Sequence, residues 1–250
     1  MKHKVVAFLD ILGWKELVAL AERDAAAAQL VQIALQIMRE TPCYNPHHGV
    51  YFSTFSDSLL ISADPTPGGL SAVLQISELV SMNLISQCER LVRGGIVLGP
   101  LTHNEKGEWG SALASAHQLC ELKGAPGRVA CSDEVAQLIE EVYQDSSKQL
   151  LRSHRVRGKT EHYINTLWHF EYPDPRNPRP GQLVLEGEAG RIVALIERSL
   201  ASHNPAKVQR KWLWFRAAWN RSVRRNGVLA KVVRRGSVAS EAGGPGRSAK

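Results

Sequence analysis

The chain has 250 residues, 44% of them apolar, with 31 Lys and Arg against 24 Asp and Glu and a formal charge of +7. That apolar content supports a real core and excludes an intrinsically disordered chain. No run approaches the roughly 18–20 consecutive apolar residues of a membrane span, and the start MKHKVVAFLD carries no secretory cleavage pattern, so a cytoplasmic location is expected.

Val5 to Leu9 has the length of a central strand and stops at Asp10, ahead of a turn at Gly13. Leu17, Leu20, Leu30, Ile33, Leu35 and Ile37 then predict one helix from Trp14 to Met38, ending before Pro42. Two short runs, Val50 to Phe55 and Leu59 to Ala63, read as a hairpin with Asp57 at its tip. A second long helix follows over Leu70 to Leu91 and a strand over Arg93 to Leu98, where Gly94 and Gly95 leave room for close approach by a backbone or ligand. The succession strand, helix, strand, strand, helix, strand is that of a split βαβ, ferredoxin-like arrangement, so the class is α+β.

Residues 103–110 read as a turn or flap, 111–122 as a helix with Ser111 as its cap, 127–131 as a strand, and 133–142 as a helix capped by Ser132 or Asp133. Residues 152–170 read as a hairpin turning at Gly158 and Lys159. The prolines of YPDPRNPRPG mark a linker, after which helices are expected over 188–202 and from Pro205 through Asn220. The predicted layout is a domain over 1–172, a linker over 173–187, a basic, Trp-rich helical extension over 188–235 and a disordered end over 236–250. The basic excess lies in 205–235, from Lys207 to Arg235, with no acidic residue between them. Cys43, Cys88, Cys120 and Cys131 lack paired spacing and read as reduced, mostly buried thiols, and His47 and His48 have no third ligand in view.

In a split βαβ sheet the strands carrying Asp10 and Asp57 are neighbours, so the two carboxylates meet at one end. With no cation evident beside them, such a pair calls for a divalent metal. Mg²⁺ or Mn²⁺ held there activates a hydroxyl and screens a triphosphate.

FLDILGW at 8–14, FSDSLLIS at 55–62, RGGIVLG at 93–99 and GSALASAHQLCELKGAPGRVACSDEV at 110–135 together resemble the catalytic domain of class III nucleotide cyclases over roughly residues 4–170. The resemblance implies that Asp10, the Ile11 carbonyl and Asp57 hold two divalent cations. It also implies a head-to-tail homodimer with shared sites. Where the family presents an Asn and, four residues on, an Arg, this chain has Ala114 and Gln118, neither of which supplies a cation. Its size, FLDILG, YFSTFSDSLL, RGGI and KWLWFRAAWN look like the short pyrimidine cyclases of the bacterial antiphage system called Pycsar. That likeness implies conversion of UTP to 3′,5′-cyclic UMP, with CTP the alternative, as a messenger read by a separate effector protein. Tyr51 then shrinks the base pocket, while Arg93, Arg157 and Lys159 are candidates for substrate contact. The Leu12–Gly13 loop opens a helix whose N-terminus suits phosphate. Two other classes compete: an inactive cyclase-like nucleotide-binding domain, on Ala114 and Gln118, and a nucleic-acid binder using 205–235. Trp212, Trp214, Phe215 and Trp219 lie at helical offsets that favour packing over base stacking.

Overall fold

A computed structural model describes residues 1–44, 49–121, 127–156, 158–171, 180–202 and 205–225. The first apolar run forms β1 (Lys2–Ile11). Its Val5, Ala7, Leu9 and Ile11 enter one buried cluster and Val6 and Phe8 another, as expected of a strand covered on both faces. It lies between β3 (Ser58–Ala63) and β4 (Val92–Asn104).

The single helix expected from Trp14 to Met38 is two, α1 (Trp14–Ala21) and α2 (Ala25–Glu40). Asp24 causes the break. Its backbone is extended, and its carboxylate accepts the Ala27 N–H at 2.9 Å, capping a new helix. β2 (Tyr51–Phe55) and β3 form the expected hairpin. α3 (Pro67–Cys88) starts earlier than expected because Thr66 caps it, accepting the Gly69 N–H, with Pro67 in its first turn. By length and composition α3 passes as a membrane span, contrary to the reading from apolar runs, yet 67% of that stretch is buried inside the fold.

β4 runs six residues past the expected Leu98 and pairs with β5 (Gly107–Trp109). α4 (Ser111–Cys120) is preceded by Gly110 at the cap position, not capped by Ser111. β6 (Val129–Cys131) leads to α5 (Asp133–Tyr143), whose Ser132 accepts the Val135 N–H. After α6 (Ser147–Leu150), β7 (Leu151–Val156) and β8 (Lys159–Ile164) make a hairpin that ends before α7 (Trp168–Glu171), shorter than the expected 152–170. α8 (Pro180–Ala201) begins inside the segment expected to be linker, and α9 (Ala206–Arg225) runs past Asn220. His47, His48, Arg157 and the end over 236–250 lie outside the described residues.

Among the described residues eight strands form a sheet in the order β2-β3-β1-β4-β6-β8-β7, with β5 beside β4. The first four are mutually antiparallel, the split βαβ arrangement, and β6 joins β4 in parallel, making the sheet mixed. Residues of α2, α3 and α5 share the larger core cluster on one face. On the other, α4 seats Ala112 and Ala116 against Val6, Leu60 and Val97. Gly95 permits that contact, since a Cβ there would stand 2.2 Å from the Ala116 carbonyl oxygen. A third cluster joins α8 and α9 to Ile85, Leu91, Leu167 and Phe170, and in it Trp212, Phe215 and Trp219 are buried, in line with the packing role expected of them.

Candidate active site

Asp10 is the penultimate residue of β1, paired in register with Ser58 of β3 and Arg93 of β4. Strand alternation places it with Val6 and Phe8 on the face that carries α4. Asp57 sits in the turn between β2 and β3. The Ile11 N–H donates to the Asp57 carbonyl at 3.0 Å, and the Trp14 indole N–H donates to Ser56 Oγ at 3.1 Å. Those bonds tie the hairpin tip to the end of β1, although Ser56 must take a left-handed φ of 53°. Gly13, at φ 81°, makes the matching turn into α1.

The two carboxylates thus share one end of the sheet, and they are not without a cation. Arg93 Nε donates to Asp10 Oδ2 at 2.6 Å, and its Nη2 donates to Glu121 Oε1 at 2.6 Å. Register sets Arg93 directly beside Asp10 on the neighbouring strand, and opposed residues of that kind point to the same face. Burial pushes the Asp10 carboxyl above its usual value and the charges of Asp57 and Glu121 add to that, while Arg93 opposes. Burial alone disfavours the guanidinium, but Asp10 more than compensates and keeps Arg93 charged. The short contact is that of an ionised pair.

Asp10, Cys120 and Glu121 offer donor atoms within 4.8 Å of one another. Burial pushes the Cys120 thiol up to about 12, and a neutral thiol is a poor ligand for a hard cation. The oxygen donors of Asp10, Glu121 and Asp57 fit Mg²⁺ or Mn²⁺, and Arg93 marks the spot as one built for positive charge. Glu121 was missed in the sequence because it follows α4, over a hundred residues from Asp10.

The Leu12 N–H is spent on the Leu91 carbonyl at 2.9 Å, and its side chain packs with the α8–α9 cluster. Of the loop proposed for phosphate, Gly13 stands at the α1 N-terminus. Lys211, on α9, is half-buried. Burial lowers its ammonium pKa, as do Lys207 and Arg93, while Glu16 and Asp10 work against this. The basic segment therefore brings one cation within electrostatic reach of Asp10, a placement that no sequence spacing signals.

Tyr51 and Lys159 do not join this group. Tyr51 pairs with Ser62, four positions along β3 from the Ser58 that faces Asp10, or about 13 Å away. It is 41% exposed and lines an open cavity of about 260 Å³ with Ser53, His103 and Glu108. His103 bonds Ser62 Oγ at 2.9 Å and Ser53 Oγ at 3.0 Å, and burial lowers its pKa, so it is neutral at pH 7. Lys159 lies on β8, three strands from β1, and register carries it to the same end as Tyr51, about 20 Å along the strands from Arg93. Ala114 and Gln118 are exposed on one side of α4.

No known protein-family model matches the chain, and no curated protein matches it. Similar solved structures include a bacterial light-regulated adenylyl cyclase, with 14% identity over 66% of this chain and 52% of that one and a TM-score of 0.46. A class III adenylyl cyclase-like ATP-binding protein from Pseudomonas aeruginosa is similar at 12% identity over 58% of this chain and 37% of that one, with a TM-score of 0.43. An adenylate/guanylate cyclase/hydrolase from Silicibacter pomeroyi is 17% identical over 66% of this chain and 98% of that one, with a TM-score of 0.38. The chain spans about half the length of the first of these.

Proposed function

We infer that this chain is a metal-dependent nucleotide cyclase of the cytoplasm that converts UTP to 3′,5′-cyclic UMP and pyrophosphate, a second messenger for a separate effector. The observation that carries the reading is the convergence of Asp10 and Glu121 on Arg93, with Asp57 beside Asp10, at one end of the sheet. Tyr51, its cavity and Lys159 stand at the other end. One chain thus holds two half-sites, and a head-to-tail homodimer brings the carboxylate end of one copy to the Tyr51 end of the other.

In the reaction the ribose 3′-oxygen bonds the α-phosphorus, the bond from that phosphorus to the bridging oxygen of the β-phosphate breaks, and pyrophosphate leaves with the bond's electron pair. The 3′-hydroxyl gives up its proton to solvent water. Asp10, the Ile11 carbonyl and Asp57 would hold two divalent cations, which would acidify that hydroxyl and screen the phosphates. Arg93, freed from Asp10, turns to a phosphate oxygen, and Lys211 adds fixed positive charge, which offsets the loss of a cation at Gln118. Across the dimer, Lys159 reaches the triphosphate, and Arg157, two positions earlier in the sequence, assists. The Tyr51 ring limits the cavity to a one-ring base, with CTP the nearest competitor. Gly13 at the α1 N-terminus accepts the remaining phosphate charge.

Ala114 and Gln118 support a second reading, a nucleotide-binding domain without turnover. Incubation with Mn²⁺ and each of ATP, GTP, CTP and UTP separates the two. The expected product is cyclic UMP, at least about a hundredfold reduced in Asp57→Ala with an unchanged melting temperature. Binding of UTP with no cyclic product establishes the second reading instead.

A further inference from the structure

Charge is segregated along this chain. Residues 205–235 hold ten of its 31 Lys and Arg and no acidic residue, so the other 219 residues carry 21 cations against 24 Asp and Glu. The body is slightly acidic, and an approaching polyanion is drawn to this segment. α9 presents the charge on one side. Lys207, Arg210, Leu213, Ala217, Arg221 and Arg224 are exposed, and their spacing confines them to an arc of about 120° on a face about 25 Å long. Trp212, Phe215, Trp219 and Val223 fill the opposite side, buried in the cluster shared with α8. A cation pair stands at each end of the exposed face, Lys207 with Arg210 and Arg221 with Arg224, and the exposed residues between them are Leu213 and Ala217. Among the described residues none of these four cations has a carboxylate partner, whereas Arg93, Arg128, Arg152 and Arg198 each have one. Like charges three residues apart on a helix repel, and a ligand with several negative charges relieves both pairs at once.

The chemistry of the face narrows the ligand. A helix that lies in a membrane surface sinks an apolar, aromatic side into the headgroups, but the aromatic side of α9 is already spent on the core. Single-stranded nucleic acid is held by stacking on exposed rings. Here the rings are buried, and half-buried Trp214 meets the Tyr163 ring edge-on at 6.0 Å. Phosphates met by cations remain, with small residues between that let the helix lie close. The major groove of B-form DNA is about 12 Å wide and admits an α-helix, whereas the A-form groove of duplex RNA is too narrow.

We propose that the exposed face of α9 binds duplex DNA through its phosphates, without reading sequence. Lys207 and Arg210 meet one side of the major groove and Arg221 and Arg224 the other. The two pairs are centred about 21 Å apart along the helix, so their long side chains reach inward to the phosphates that flank the groove. The surface stands whether or not the chain is a cyclase.

The test is fluorescence anisotropy of a labelled DNA duplex titrated with the full chain, without divalent metal, at chloride concentrations from about 50 to 200 mM. Four phosphate contacts predict at least about a hundredfold loss of affinity across that range, equal for two duplexes of unrelated sequence. Arg210→Gln and Arg221→Gln are each expected to weaken binding about threefold or more and to lower the salt slope by about one. Arg39→Gln, exposed on α2, and Asp57→Asn should leave binding unchanged. Both α9 positions are exposed, so their variants fold, which unchanged melting temperatures check. No salt-dependent binding, a slope unchanged in both α9 variants, tighter binding of an RNA duplex of the same length, or capture by vesicles containing phosphatidylserine but not by DNA overturns the proposal.

Discussion

Arg93 and Glu78 show how much a single side chain's surroundings decide. At the carboxylate end, Arg93→Ala removes the guanidinium hydrogen-bonded to Asp10 and leaves that half-buried acid beside Asp57 and Glu121, which favours the protonated form. Cyclic product formation is then expected to fall and its acidic limb to move to higher pH, read from a rate–pH profile against wild type. An unmoved acidic limb refutes the coupling. Glu78, in the middle of α3, is buried and accepts a hydrogen bond from Trp168, and burial raises its pKa from 4.5 to about 8. Between those values the folded chain keeps a proton that the unfolded chain has lost, so stability falls as pH rises, by up to about 5 kcal/mol in total. Glu78→Gln removes that slope, and its melting temperature should exceed wild type above pH 8 and converge with it near pH 4.5. Parallel melting curves across that range would mean that Glu78 is ionised throughout. Asp10 and Asp57 were legible in the sequence because each ends or joins an apolar strand. Glu121, Lys211 and the His103 cluster were not, since they reach their places through strand register and helix packing.

Among the elements, the break after Ala21 was written in Asp24, a cap residue ahead of four alanines, but apolar spacing on both sides continued smoothly enough to hide it. Asp24→Ala is expected to cost about 1 kcal/mol, measured by denaturant unfolding. An undiminished stability would show that packing alone holds the start of α2. The length of β4 was hidden by Gly99 and Pro100, which read as a stop. Proline is tolerated there because β6 ends opposite Ile96 and β5 pairs only from Thr102, leaving Pro100 in the gap between those two partners. Gly94 and Gly95 did signal close approach, and the approaching group at Gly95 is the α4 backbone. Gly95→Ala should destabilise the fold by about 2–3 kcal/mol and shift α4, since the new methyl meets a carbonyl that cannot move aside alone. Wild-type stability would place α4 farther from the sheet than described.

For the whole molecule, the split βαβ half was readable from the order of its elements, whereas β6 to β8 and the docking of α8 and α9 depend on contacts far apart in the chain. Opposite placement of the two half-sites has a direct assay. Asp57→Ala and Tyr51→Glu, each inactive alone, should regain about a quarter of wild-type activity when mixed, because half the dimers are mixed and each mixed dimer has one intact site. No recovery after subunit exchange rules out shared sites. The cluster joining Leu12 and Leu91 to α8 and α9 also sets a timetable for synthesis. A ribosome releases the sheet and both carboxylates well before Trp212 and Trp219 emerge, so the loop beside Asp10 has no hydrophobic backing until the last helix docks. A nascent chain stalled before α9 would carry every acidic residue of the site and still lack the floor that Trp212 and Trp219 complete beneath it.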